Sequence, residues 1–295
     1  MLDVVVIGHI AIDRNVLPWG TVENVLGGAP TYTGMALKTL KKNVGLVSKV
    51  GRDFEDFSFY TKHGIDIKGV SIGGLLTTRF ENIYDIDGER KQICKCGVSH
   101  ITSDDIPELY RKARSFYISP ITNEVEVELI KQLKREDNII MLDPQGLFRK
   151  ITENGRVEIA LREDFKDFLK YVDIIKIGKS EASVFGIGVE KILSYLICAG
   201  PKIAIVTLGN KGCMFSVGDK IETVHCLKVD AKDFTGAGDV FGATFLATYM
   251  DTLNVRESIK SASIAAGLKI RHMGPDGFPS KEEIEEVKGL IDLTP

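Results

Sequence analysis

Apolar and polar positions follow two periods along this chain, and the order of those periods predicts a layered α/β fold. "LDVVVIG" (2–8) is an unbroken β-branched run closed by glycine, the pattern of a buried strand. Residues 14–26 predict two short extended pieces about a Pro-Trp-Gly turn. "APTYTGMALKTLKK" (29–42) has helical spacing with Pro30 suited to its first turn, and "VGLVSKVG" (44–51) is a second strand. A helix is predicted over 53–64, stopped by Gly64. Residues 70–97 are different in kind. They alternate polar and apolar around Asp87-Gly88, as in a hairpin with one apolar and one wet face outside the main core.

Beyond residue 100, helices and strands take turns. Helices are predicted over 104–113, 123–135, 162–172 and 188–200, and strands over 115–119, 138–144, 173–178 and 202–209. A hairpin follows over 212–227, then three helices over 237–250, 255–271 and 280–291. This alternation implies a mostly parallel sheet with helices on both faces. With no repeat, low-complexity tract or long linker, residues 1–295 read as one domain carrying a small β appendage from about 14–26 and 70–97.

Composition removes several classes of function. The formal charge of −3 gives no basic excess for nucleic acid, and 44% hydrophobic residues suffice for a sizeable core. The N-terminus lacks the features of a signal peptide, and no apolar run approaches the ~20 residues of a membrane span, so a cytoplasmic protein is expected. Five scattered cysteines suit reduced thiols. Cys94-Lys-Cys96 near His100 lacks a second ligand pair at zinc-like spacing, and two residues sharing a strand face is the plainer reading.

The chemistry concentrates in "DFTGAGDVFG" (233–242). A dinucleotide fingerprint would need G-x-G-x-x-G after the first strand; here the glycines fall at 236, 238 and 242, near the C-terminus. No G-x-x-x-x-G-K-[ST] phosphate loop occurs either. If a helix starts near Gly236, the amides of Gly236, Ala237 and Gly238 point out of its N-terminus, where partial positive charge binds phosphate. Asp239 then sits beside any anion held there. Either it accepts a proton from an attacking hydroxyl, or it merely favours the helix dipole.

"DFTGAGDVFGATFL" resembles the C-terminal signature, D-T-x-G-A-G-D, of the ribokinase-like (PfkB) carbohydrate kinases. "LGGAPTYTGMAL" (26–37) resembles that family's Gly-Gly signature, "VTLGNKGC" (206–213) its nucleotide-binding turn, and "VIGHIAIDRN" its opening strand. The resemblance runs over essentially the whole chain. It implies a three-layer sandwich with a mostly parallel central sheet and a small β lid. The implied activity is transfer of the γ-phosphoryl group of ATP, with Mg2+, to a hydroxyl of a sugar, nucleoside or inositol-like acceptor; the resemblance also admits a monovalent cation and a homodimer through the lid.

Carried over by position, Asp239 is the general base, and Gly236, Ala237 and Gly238 the anion hole. Asp13, Gly27, Gly28 and Tyr32 hold the acceptor. Thr207, Gly209 and Gly212 shape the nucleotide cleft, with Lys176 or Lys179 supplying charge. Glu181 holds magnesium, directly or through water.

Two departures stand out. The family's N-x-x-E here reads Gly178-Lys179-Ser180-Glu181, without the asparagine, and Tyr32 replaces the asparagine that ribose-binding members carry. The second change argues against plain ribose and leaves room for a flatter or bulkier acceptor. A nucleotide-binding sensor without catalysis is the rival reading, opposed by the intact Thr-Gly-Ala-Gly-Asp.

Overall fold

The computed structural model describes residues 1–84 and 90–290, so the predicted Asp87-Gly88 turn lies outside the described residues. Strand Val4–Ile7 is fully buried along its length, because it pairs in parallel with Val44–Gly51 on one side and Ser115–Ile118 on the other. Its side chains alternate between two cores: Val4 and Val6 enter one, Val5 and Ile7 the other. A strand covered on both faces has no polar side, which is why its sequence is a continuous apolar run.

From edge to edge the large sheet orders its nine strands Lys220–Val224, Cys213–Val217, Ile203–Thr207, Ile174–Gly178, Ile139–Leu142, Ser115–Ile118, Val4–Ile7, Val44–Gly51 and Asp66–Gly74. Seven are parallel; Cys213–Val217 and Lys220–Val224 form an antiparallel hairpin at one edge. Helices Ala29–Thr39, Ala237–Thr252 and Val255–Lys269 fill the core on one face. Val127–Leu133, Phe165–Leu169 and Val189–Ala199 fill the other. This is an α/β three-layer sandwich. Each fully buried Leu, Ile or Phe in these layers stabilises the fold by about 1.5–3 kcal/mol.

A second, four-stranded sheet stands at the carboxyl ends of the parallel strands, ordered Gly20–Gly27, Ala11–Leu17, Thr78–Tyr84 and Arg90–Lys95. Its boundary differs from the sequence reading. Residues 70–74 belong to the edge strand Asp66–Gly74 of the large sheet, and the small sheet begins again only at Thr78. The two are pressed together where they part: a Cβ on Gly74 would lie 1.9 Å from the Gly97 carbonyl oxygen.

Local predictions fail where short-range breakers win. The helix expected over 104–113 is two single 3-10 turns, Ser103–Asp105 and Tyr110–Lys112, because Pro107 lies between them and disfavours helix at the residue before it. Three other helices are shorter than their patterns: Phe57–Lys62, Val127–Leu133 and Phe165–Leu169. The hairpin Arg149–Ile151 with Val157–Ile159 is absent from the sequence reading, although Asn154-Gly155, with Gly155 at φ 80°, marks its turn. No helix among the described residues is long and apolar enough to cross a membrane.

Candidate active site

The segment before helix Ala237–Thr252 is shaped by one acid and one glycine. Asp233 accepts hydrogen bonds from Thr235 N (2.8 Å) and Gly274 N (2.9 Å), tying the segment to the C-terminal loop. Gly236 then adopts φ 76°, and a Cβ there would sit 2.1 Å from the Tyr32 ring. Only glycine satisfies both demands. The helix start differs in one detail from expectation: the Ala237 amide donates to the Phe234 carbonyl at 3.3 Å. Among the described residues, the amides of Gly236 and Gly238 make no such bond. Helix N-termini bind anions through groups of this kind.

Asp239, in the first turn, faces a cavity of about 400 Å³ and accepts from Gln145 Nε2 at 3.2 Å. Behind it lies a buried ion pair, Lys176 Nζ to Asp143 Oδ2 at 2.7 Å. Lys176 also reaches the Gly238 carbonyl at 3.3 Å, and the Tyr117 hydroxyl donates to Asp143 at 3.2 Å. Burial pushes the Asp239 carboxyl up to about 7, the Asp143 charge pushes the same way, and Lys176 and Arg149 pull against both. Burial opposes the Lys176 ammonium most strongly, but Asp143, Asp239 and Glu181 together hold the group above the usual lysine value. The result is an acid poised near neutrality beside a permanent cation. Asp143, Lys176 and Thr207 reach this place because parallel strands end here together, as α/β sheets arrange their binding crevices.

The expected acceptor residues converge on the same cavity. Asp13 is buried and lines it with Gly28 and Tyr32. Gly28 caps helix Ala29–Thr39 at φ 86°, where a Cβ would meet the His9 carbonyl oxygen at 2.5 Å. Gly27 pairs with Ala11 in the small sheet and leaves room for Asp13, whose Oδ2 lies 2.5 Å from where its Cβ would be. The Tyr32 ring packs on Gly236 and lies 5.9 Å from the Lys269 ammonium.

Glu181 lines the cavity too, and its Oε2 lies 2.4 Å from the position of a Cβ on Gly178, a contact that the flexible glutamate can relieve, so nothing in the structure explains the glycine in place of asparagine. Lys179 is exposed at the start of the short helix Lys179–Ser183 and does not line the cavity.

A second cavity, of about 510 Å³, is lined by Gly209, Gly212, Leu227, Val229, Phe241 and Ile270 among others. Gly209 at φ 61° and Gly212 at φ 84° close the turn after strand Ile203–Thr207, with Leu208 N donating to Gly212 O at 2.7 Å. Lys176 does not line this apolar cleft; it stands on the Asp239 side. Thr207, Phe234 and Gly238 line both cavities, so the two meet at the helix start.

Sequence reasoning missed Asp143, Gln145, Arg149, Phe80, Asn82 and Gln92, all of which line the cavity. Asp143 was findable as an acid at a strand end in "NIIMLDP". The others become visible only when separate strands are brought side by side.

Known proteins share this fold. A model of the pfkB family carbohydrate kinases matches residues 1–282. A cytidine kinase of Thermococcus kodakarensis is 29% identical over 268 residues, covering 88% of this chain and 93% of that protein. An ATP-dependent 6-phosphofructokinase of Thermoanaerobacterium thermosaccharolyticum is 27% identical, covering 99% and 94%. An inositol 3-kinase of Arabidopsis thaliana is 24% identical, covering 99% and 82%. Among solved structures, a pyrophosphate-dependent kinase of the ribokinase family, complexed with a pyrophosphate analog and myo-inositol, superposes with a TM-score of 0.82 at 24% identity, covering 96% of this chain and 99% of that one. A putative ribokinase II from E. coli, in complex with ATP and Mg2+, gives 0.80 at 20% identity, covering 99% and 100%. With its family signatures in one continuous match, this chain belongs to the PfkB family of carbohydrate kinases, phosphotransferases that act on a hydroxyl acceptor.

Proposed function

We propose that the protein transfers the γ-phosphoryl group of ATP to a hydroxyl of a sugar, nucleoside or inositol-like acceptor. The observation that carries this reading is the junction of the two cavities at Gly238, with Asp239 one residue on. A donor in the apolar cleft would place its terminal phosphate at the helix N-terminus, next to an acceptor in the Asp239 cavity. The Asp239 carboxylate takes the hydroxyl proton, the alcohol oxygen bonds to phosphorus, and the bond to the departing ADP oxygen breaks with its electron pair. The Gly236 and Gly238 amides and Lys176 stabilise charge on the moving phosphoryl group.

The apolar cleft favours ATP over pyrophosphate, since Leu227, Val229 and Phe241 suit a base and pyrophosphate has nothing apolar to bury. Magnesium takes one or two carboxylates and completes its shell with water and phosphate oxygens. Glu181, directly or through water, fits that part; when bound, the ion would neutralise phosphate charge. No side chains are assigned to a monovalent cation.

The small sheet is proposed as a lid that excludes water from the transfer. Its edge strand Gly20–Gly27 leaves Val22 exposed beside exposed Trp19, the surface on which pairing of two lids would rest. A catalytically silent sensor would have no use for an acid near neutrality in the path of the phosphate. Acceptor-dependent ADP release tests the reading; ATP bound with no release across sugars, nucleosides and inositols would reject it.

A further inference from the structure

The small sheet sorts its polar residues by face. Asn15, Asn82 and Gln92 are direct cross-strand neighbours on three adjacent strands. Gln92 Nε2 donates to Asn82 Oδ1 at 2.7 Å, and Asn82 Nδ2 donates to Asn15 Oδ1 at 2.9 Å. Two residues along, on the same face, Asp13 pairs with Phe80. The ion-paired groups take the opposite face: Arg14 pairs with Glu81 and Glu23, and Arg79 with Asp53. Asn82, Gln92, Phe80 and Asp13 line the cavity that Asp239 faces.

This arrangement has a chemical consequence. The relay holds the Gln92 amide in place by engaging one of its polar groups with Asn82. With one hydrogen given to Asn82, Gln92 keeps a carbonyl oxygen and a second N–H, coplanar and side by side. That pair matches the edge of a nucleobase, where a donor and an acceptor are likewise adjacent and coplanar; Asn and Gln read bases in this bidentate way. Phe80, with the Arg149 guanidinium 5.2 Å from its ring centre, supplies flat surfaces next to the amides. The cavity is poorly equipped for a phosphosugar. Lys176, paired with Asp143, stands at the Gly238 carbonyl on the side proposed for the transferred phosphoryl group, and Arg149 is bonded to the Ile121 carbonyl at 2.7 Å and Gln145 at 2.9 Å, which leaves neither for a second phosphate.

We propose that the acceptor is a nucleoside, its base read by Gln92 through the amide relay and its sugar hydroxyls held towards Asp13 and Asp239. The proposal rests on the kinase reading for the phosphoryl step alone; recognition of the base can be tested without it.

The experiment is calorimetry without donor, using cytidine, uridine, adenosine, ribose and myo-inositol, followed by ADP release with each. Wild-type protein should bind at least one nucleoside ten-fold or more tighter than ribose. Gln92→Leu should weaken that nucleoside at least ten-fold and leave ribose unchanged. Lys95→Ala, on the charged face, should change neither. If Gln92→Leu fails to fold, Gln92→Glu preserves the shape and removes the donor, and the same loss is expected. Ribose or inositol binding as tightly as every nucleoside, or a Gln92 variant binding nucleosides like wild type, overturns the proposal. Gln92-dependent nucleoside binding without ADP release supports the base site and rejects the kinase reading.

Discussion

The Tyr117 hydroxyl stands 1.9 Å from the position that a Cβ on Gly242 would occupy. That contact explains the third glycine of the 233–242 segment, which lies inside a helix, where glycine costs about 1 kcal/mol relative to alanine. It admits a fully buried ring whose hydroxyl bonds to Asp143, the partner of Lys176. The helix thus serves the site at both ends of its first two turns.

Gly242→Ala should therefore destabilise the protein despite its better helix propensity. Overpacking of this kind costs about 1–3 kcal/mol. Tyr117→Phe removes the clashing oxygen and should return part of the loss. Thermal denaturation of the two single variants and the double variant measures the coupling; simple additivity would contradict the contact.

The Lys176–Asp143 pair sets both stability and proton affinity. Removing one partner of a buried pair costs about 3–5 kcal/mol, so Lys176→Met should lower the melting temperature markedly. The two charges act oppositely on Asp239. Lys176→Met should move the acid limb of the pH–rate profile to higher pH, and Asp143→Asn to lower pH. Shifts in one common direction would show that the pair does not govern the base.

Most of the layered fold was legible because the buried parallel strands, Val4–Ile7 and Ile203–Thr207 among them, carry nothing but apolar or β-branched residues. Such runs have few other folded states. The helix over 104–113 misled because its spacing was right while Pro107 forbade it. The site was half legible. Asp239 and the glycines around it announce themselves by local sequence, and Asp13 only by its place in a family-like opening strand. Gln145, Asn82 and Gln92 do not, since an amide in a polar stretch looks the same whether it faces water or a cavity. Their roles depend on register between strands up to 67 residues apart, the separation of Asn15 and Asn82.

Glu181→Gln should raise the Mg2+ concentration for half-maximal activity several-fold, with a smaller effect on kcat at saturating metal. A metal titration at fixed ATP gives the answer. An unchanged half-saturation point would remove Glu181 from the metal's surroundings.

Donor choice has its own variant. Ala266 lines the apolar cleft and does not line the Asp239 cavity. Ala266→Phe would fill the space proposed for the base, raising the KM for ATP about ten-fold or more while the acceptor KM holds. Vigorous turnover with pyrophosphate, insensitive to this substitution, would reverse the donor assignment.

Asp239 also makes a stability prediction. Its carboxyl is raised from 3.8 to about 7 in the folded state, so the folded protein holds a proton that the unfolded chain has lost between those values. Stability is then lost as pH rises from about 4 to 7. Asp239→Asn removes that penalty and should melt higher than wild type at pH 8, with the gap closing towards pH 4.

The pH dependence of kcat/KM for wild type and Asp239→Asn tests the central claim most directly. Wild-type activity should rise with unit slope to a plateau above an inflection at about 7, where burial places the Asp239 carboxyl. The Asp239→Asn variant, folded and still binding ATP, should lose about 10²–10⁴-fold in rate, the usual contribution of a positioned base, and lose the inflection with it. Near-normal turnover and an unchanged pH profile in Asp239→Asn would contradict the account.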